Sequence, residues 1–220
     1  SFDMLGEGAR TDAQAEVYFN SYQTAIDRIG QEGKGKAPEH RHAISVKLSA
    51  LFARYEEAQS ARVLDVLYDR LLKLAIQARG HDINFTVDAE EADRLDISLD
   101  LIDRLVKEPD LKGWTGFGLA VQAYQKRAPQ VIDHLIELAK SSGHRLMIRL
   151  VKGAYWDSEI KLAQEENALD YPVFTRKAGT DVCYTLCAAK MLDAGELIYP
   201  QFATHNAMTS ASILEMAGSR

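Results

Sequence analysis

Short runs of branched and aromatic residues alternate with longer amphipathic segments along this sequence. Six short runs have the composition of β-strands, at residues 2–5 (the weakest), 43–48, 83–87, 116–121, 146–151 and 200–204. Apolar residues recur at helical spacing in other segments, which are residues 11–30, 60–79, 128–142, 181–193 and 209–217. This alternation predicts βαβ units and a parallel sheet. We therefore expect one α/β domain over residues 1–220, with residues 31–42 as a surface loop.

Composition narrows the class of protein. The 220 residues are 46% hydrophobic with a net charge of −6, which excludes a disordered chain. No apolar run reaches the length of a membrane span, and the acidic balance argues against a dedicated nucleic-acid binder. The only two cysteines, Cys183 and Cys187, are four residues apart on a predicted helix, and two thiols alone do not close a zinc site. We expect a soluble cytosolic protein.

Polar residues lie at the end of each predicted strand. They are Glu7, Lys47, Asp88, Gln122, Arg149, Lys152, His205 and Asn206. Because parallel strands direct their carboxyl ends to one face, this pattern favours a (β/α)8 TIM-like barrel. A doubly wound sheet is less favoured, since no G-x-G-x-x-G motif or P-loop occurs. About six of the eight units of a barrel are present, so we expect the closing part of the barrel to be missing from this chain.

Two groups of residues are candidates for chemistry. Lys47 lies in an apolar predicted strand, and Asp88 ends the next one, so the two form either a functional pair or a structural ion pair. The stretch from Arg149 to Trp156 combines two cations, a glycine and two aromatics. This combination suits an anionic, planar ligand; the alternative is a basic rim over core aromatics. Residues 175–177 (TRK) add a weaker basic cluster before a helix.

Other polar residues carry less information. His205 and Asn206 follow a strand and offer hydrogen-bond groups to a ligand edge. His40 and His42 lie in the polar loop, where we expect solvent exposure and no bound metal. No nucleophile-elbow pattern is present. The residues predict a barrel-like enzyme with a cationic pocket, and they leave the reaction open.

Seven long motifs extend this interpretation. They are FDMLGEGA (2–9), ISVKLSALFARY (44–55), NFTVDAEEADRL (84–95), GWTGFGLAVQAYQ (113–125), RLMIRLVKGAYWDSEI (145–160), YPVFTRK (171–177) and IYPQFATHNA (198–207). They closely resemble the proline dehydrogenase domain of the bifunctional proline utilization A flavoenzymes. The resemblance implies a distorted barrel that binds FAD and oxidises L-proline to Δ1-pyrroline-5-carboxylate, the first step of proline catabolism to glutamate. It also implies electron transfer to a membrane quinone, from a cytoplasmic protein peripheral to the inner face of the membrane.

The resemblance assigns roles residue by residue. Arg149 matches an arginine near flavin N5, and Lys47, Asp88 and Arg149 form the catalytic set. Lys47 matches a lysine for the substrate carboxylate, and Glu7 matches a glutamate that pairs with a substrate-binding arginine. The other cofactor-binding positions are Ala89, Gln122, Val151, Lys152, Gly153, Ala154, Trp156, Thr175, Arg176, Lys177, Thr204, His205 and Asn206.

Departures from the family pattern leave alternatives open. The family's two closing strands and its helix with adjacent arginines have no counterpart here, and Phe52-Ala53 replaces its usual His-Pro. The DNA-binding region of some members and the aldehyde dehydrogenase module are also absent, so we expect a piece of a longer chain that makes no nucleic-acid contact through this region. The alternatives are a lysine Schiff-base aldolase barrel, with Lys47 or Lys152 as nucleophile, and a catalytically silent fragment.

Overall fold

A computed structural model describes residues 2–4, 6, 8–33 and 40–219. All the described strands are parallel, and their order in the sheet follows the chain. The strands are β1 (Phe2–Asp3), β2 (Ala43–Val46), β3 (Asn84–Val87), β4 (Phe117–Gln122), β5 (Leu146–Val151) and β6 (Ile198–Phe202). The chain divides into two compact units, Ser1–Leu119 and Ala120–Arg220, with the boundary inside β4.

The first unit pairs β1, β2, β3 and the start of β4. Its helices are α1 (Asp12–Gly33), α2 (Leu48–Leu51), α3 (Ser60–Arg62), α4 (Tyr68–Gly80) and α5 (Leu95–Leu105). A π-helical turn, Val63–Leu67, joins α3 to α4, so the helix predicted at residues 60–79 is one helical run with a local widening. The core of this unit contains fully buried Ile44, Leu71 and Phe85.

Two sequence-based expectations in this unit were wrong or incomplete. The strand predicted to reach Leu48 ends at Val46, and Lys47 is the N-cap residue of α2 rather than a residue inside the strand. The short run of apolar residues continues across this boundary, so composition did not reveal the change from strand to helix. Helix α5 was also missed, although its buried residues Ile97, Leu101 and Leu105 recur at helical spacing.

The second unit contains the end of β4, then β5 and β6, which pair in parallel register from Leu146 opposite Ile198. Its helices are α6 (Ala128–Ser142), α7 (Trp156–Glu165), α8 (Lys177–Asp193) and α9 (Ala207–Gly218). Helix α6 has the predicted bounds and α7 was not predicted. Cys183 and Cys187 are buried free thiols on α8.

The architecture confirms the α/β class and is consistent with part of a TIM-like barrel, because parallel strands follow one another in chain order with helices between them. Helix α1 continues to Gly33, so it takes up the first residues of the predicted 31–42 loop. His40 is exposed as expected, whereas His42 is half-buried. Across the described residues, no helix has both the length and the apolarity that crossing a bilayer requires.

The left-handed backbone at Gly143 gives a test of how α6 ends. Gly143 has φ +70° and its N–H donates to the Ala139 carbonyl at 3.0 Å. Gly143→Ala should destabilise the chain by about 1–2 kcal/mol, because a Cβ disfavours this conformation. Gly80→Ala is the matched control: Gly80 ends α4, has open space where a Cβ would lie and has no positive φ. It should be neutral or stabilising, and urea denaturation of both variants measures the difference. Equal effects would contradict this account.

Candidate functional site

In the first unit, the ends of β2 and β3 bring Lys47 and Asp88 together. Lys47 Nζ lies 3.3 Å from Asp88 Oδ2, and the side chains are 18% and 12% exposed. The Lys47 N–H donates to the hydroxyl oxygen of Tyr22 at 3.2 Å. Burial raises the pKa of Tyr22 to about 12, so its hydroxyl stays neutral. The structure therefore places a largely shielded lysine side chain beside a carboxyl group.

Glu90 holds the backbone that follows Lys47. Its Oε1 accepts a hydrogen bond of 2.9 Å from the Ser49 N–H in the first turn of α2. Lys47 is the N-cap residue of that helix, and its side chain makes no capping hydrogen bond. Glu90, which lies two residues after Asp88 in the sequence, caps the helix instead. Burial is the largest cause of a raised Glu90 pKa, and Arg94 lies 3.3 Å from Oε2. The sequence-based prediction did not include this residue; its only signal was the DAEE run after β3.

Substitution of Glu90 separates its hydrogen bond from its charge. Glu90→Gln keeps an acceptor for Ser49 N–H and should be neutral or stabilising at pH 7, whereas Glu90→Ala should cost about 1–3 kcal/mol through an unpaired buried donor. Because the folded-state pKa is raised, the stabilisation from the neutral acid is complete at low pH and is lost as pH rises through that pKa. Urea unfolding should therefore show the wild type losing stability relative to Glu90→Gln above about pH 4. If the wild type instead lost stability relative to Glu90→Gln as the pH fell, this account of Glu90 would be contradicted.

The second unit contains a cavity of about 310 Å³ beside the loop that follows β5. It is lined by Tyr124, Lys152, Gly153, Trp156, Phe174, Thr175, Lys177 and Thr180. Most of these residues belong to the cofactor set that the family resemblance assigns to the loop after β5 and to the TRK cluster. The structure thus brings the two predicted basic stretches to one cavity.

Backbone pairing beyond the strand ends builds the cavity wall. The N–H groups of Ala123 and Tyr124 donate to the carbonyls of Val151 and Lys152 at 2.8 and 2.7 Å. The Tyr124 carbonyl accepts from Phe174 N–H at 2.8 Å, next to an antiparallel bridge between Gln125 and Val173. The indole N–H of Trp156 donates to the Phe174 carbonyl at 2.9 Å, although its side chain is exposed.

Gly153 allows Tyr124 to form part of this wall. Gly153 has φ +146°, and a Cβ at this position would overlap the Tyr124 ring. The Tyr124 hydroxyl donates to buried Glu159 on α7 at 3.4 Å, and burial raises the pKa of this tyrosine. The glycine therefore serves close packing as well as exposing its backbone at the cavity.

One carboxylate holds both cavity lysines. Asp181 Oδ1 forms an ion pair with Lys152 Nζ, and Asp181 Oδ2 lies 2.5 Å from Lys177 Nζ. These hydrogen bonds hold the pKa of Asp181 below its usual value. Asp181 was absent from the sequence-based set, because nothing in its local pattern links it to Lys152.

Gln122 and Arg149 occupy neighbouring strands near the cavity loop. Gln122 is buried at the end of β4, and its Oε1 accepts from the Ala154 N–H at 3.1 Å, which fixes the loop. Arg149 in β5 is half-buried and is in register with Gln201 of β6. The Oε1 atom of Gln201 is buried and has no hydrogen-bond partner among the described residues.

The remaining predicted site residues lie where their strand ends place them. Asn206 accepts from Thr209 N–H at 3.0 Å and caps α9, while Thr204 Oγ1 accepts from the Asn206 N–H at 3.1 Å. His205 is exposed, as is Arg176, the N-cap residue of α8. Ala89 is half-buried beside Asp88. Glu7 lies outside the described residues. Within the described ranges, no three His, Cys, Asp or Glu side chains are arranged to hold a metal.

Comparisons with known proteins agree with this arrangement. The chain matches the family model for proline dehydrogenase over residues 1–220, and it belongs to this family. The bifunctional protein PutA of Klebsiella aerogenes is 58% identical over 218 residues, which is 99% of this chain and 17% of that protein. Proline dehydrogenase 2 of Bacillus subtilis is 30% identical, over 87% of this chain and 57% of its own length.

Solved structures agree as well. A crystal structure of a Bradyrhizobium japonicum proline utilization A variant superposes with a TM-score of 0.98 at 59% identity, over 99% of this chain and 22% of that one. The structure of proline utilization A from Bdellovibrio bacteriovorus, inactivated by N-propargylglycine, superposes with a TM-score of 0.92 at 30% identity, over 99% of this chain and 24% of that one. The chain thus spans about one sixth of the length of the PutA protein of Klebsiella aerogenes. Membership in the family implies a flavin cofactor.

Proposed function

We propose that this chain binds FAD and carries out the oxidation of L-proline to Δ1-pyrroline-5-carboxylate, the first step of proline catabolism to glutamate. The observation that carries this proposal is the cavity of the second unit, where Lys152 and Lys177 lie beside the start of α8 with Tyr124 and Trp156 close by. Cations and helix N–H groups suit a diphosphate, and aromatic rings suit a heterocycle.

The residues present fit such a cofactor. Gly153 exposes backbone without a side chain at the cavity, where the Tyr124 ring already fills the space that a Cβ would need. We assign the phosphates to the basic side chains Lys152, Arg176 and Lys177. From the family resemblance we assign the remaining cofactor contacts, which are Asp88, Ala89, Gln122, Arg149, Val151, Gly153, Ala154, Trp156, Thr175, Thr204, His205 and Asn206.

This chain's residues would orient the substrate and stabilise charge. Bound flavin supplies a two-electron acceptor for the carbon beside the proline nitrogen. Arg149 would place a permanent positive charge beside the acceptor atom, which favours accumulation of negative charge there. Lys47, held by Asp88, would bind the proline carboxylate as an ammonium group, and we assign Glu7 to the same substrate region from the resemblance.

The partners follow from the same assignment. We propose a membrane quinone as the second substrate and an aldehyde dehydrogenase module as the consumer of the product, as the name bifunctional of the PutA relatives suggests. A cytoplasmic position, peripheral to the inner face of the membrane, is part of this proposal.

The aldolase alternative has less support. A Schiff-base lysine needs a neutral amine at working pH. Lys47 Nζ is ion-paired with Asp88 and Lys152 Nζ with Asp181, so a carboxylate already engages each nitrogen that would have to attack the carbonyl. Borohydride with an aldehyde substrate should therefore leave both lysines unmodified.

The visible spectrum of the purified chain tests the function directly. After addition of FAD and removal of free cofactor, flavin absorption bands should remain with the protein and should bleach on anaerobic addition of L-proline. Glycine, which has the carboxylate but no ring, should leave the bands unchanged. Absence of bound flavin would contradict the cofactor assignment, and bound flavin that proline does not reduce would contradict oxidation by this chain.

Arg149→Met tests the role of the charge. The variant should bind FAD within a few-fold of the wild type, and anaerobic reduction by proline should slow by about a hundredfold or more, since a charge aimed at the reacting atom is lost. Arg145→Met is the matched control, because Arg145 lies before the opposite end of β5, where it packs over Tyr199. Equal slowing in both variants, measured by stopped-flow absorbance, would refute a specific role.

A further inference from the structure

Asp181 is the one carboxylate, among the described residues, that pairs with two lysines of the cavity wall. Lys177 lies one turn before it on α8, with 2.5 Å between Lys177 Nζ and Asp181 Oδ2. Lys152 reaches the other oxygen, Oδ1, from the loop after β5. Both lysines line the cavity while Asp181 itself does not. Asp181 therefore holds two lysines of the cavity wall without lining the cavity itself.

We infer that Asp181 is a positioning residue that fixes the ammonium groups of Lys152 and Lys177 for the phosphates of a dinucleotide. This inference rests on the proposed function. Each ammonium group has three N–H donors, and the bond to Asp181 uses one of them. The other donors remain for an anion in the cavity, and a lysine stem that is already held loses less freedom when the anion binds.

The double ion pair differs from the other lysine–aspartate pairs of this unit. Lys126 with Asp170 and Lys190 with Asp133 each join one lysine to one carboxylate, at 2.7 and 2.6 Å, and none of these residues lines the cavity. Asp181 pairs with lysines from two segments, the loop after β5 and the first turn of α8, and its side chain is 39% exposed against 74% for Asp170. Asp181 thus holds side chains of the cavity wall in place, whereas Asp170 forms a single ion pair at the solvated surface.

Two effects oppose each other when Asp181 is removed. Loss of its negative charge raises the attraction of the site for phosphate, while loss of the two bonds releases both lysines. The lysine side chains are 27% and 72% exposed, so solvent and salt screen the gain in attraction. We expect the loss of positioning to prevail, by a modest factor because exposed ion pairs are individually weak.

Titration of the cofactor-free chain tests the inference without an activity assay. Asp181→Ala should bind FAD about three- to tenfold more weakly than the wild type, with unchanged affinity for riboflavin, which has no phosphate. Asp170→Ala, the matched control, should bind both as the wild type does. Alanine is the best helix former, and circular dichroism checks that α8 is retained.

A second variant isolates the lysines. In a Lys177→Met background, Asp181→Ala should weaken FAD binding less than it does in the wild-type background, because one of the groups it positions is gone. Unchanged or tighter FAD binding in Asp181→Ala would overturn the inference. Equal losses for FAD and riboflavin would also overturn it, since they would show a general effect on the fold.

Inorganic pyrophosphate, measured by calorimetry, separates this inference from the proposed function. Pyrophosphate binding that weakens in Asp181→Ala, in a chain that fails to bind FAD, would support the positioning role and overturn the FAD assignment. A wild-type chain that binds neither pyrophosphate nor FAD would overturn both.

Discussion

Backbone hydrogen bonds that continue past the ends of β4 and β5 determine where the candidate cofactor residues lie. The donors at Ala123 and Tyr124 and the acceptors at Val151 and Lys152 extend the parallel pairing into the loops. This pairing places the Tyr124 ring against Gly153 and directs Lys152 to the cavity. The segment before α8 then docks on Tyr124 through Phe174, which brings Lys177 to the same place. Backbone hydrogen bonds between segments that are distant in sequence thus bring the two basic stretches together.

Carboxylates accompany the candidate ligand-binding cations in both units. Lys47 is paired with Asp88 in the first, and Lys152 and Lys177 share Asp181 in the second. Each of these lysine nitrogens is thus held by a carboxylate, an arrangement that suits binding of anionic groups better than nucleophilic attack. It also explains how an acidic chain, with net charge −6, presents cations where anions are expected to bind.

Much of the fold could be predicted because its signals are local. Pro129 near the start and Gly143 at the end indicated the bounds of α6, because proline restricts φ and glycine tolerates the left-handed conformation that ends the helix. The cores of the strands followed from branched apolar runs. The helical state of Leu48–Leu51 could not be predicted, because its cap comes from Glu90, 41 residues from Ser49. Asp181 was missed for the same reason: its link to Lys152 exists only after β5 and α8 are packed together.

The glycine at position 153 has a wider consequence for how this region tolerates change. The space that a side chain would need there is already filled by Tyr124, whose hydroxyl is in turn anchored to Glu159. Positions 124 and 153 therefore form a single steric unit across two loops. A substitution at either position alters the space available to the other, so their mutational freedom is shared rather than independent.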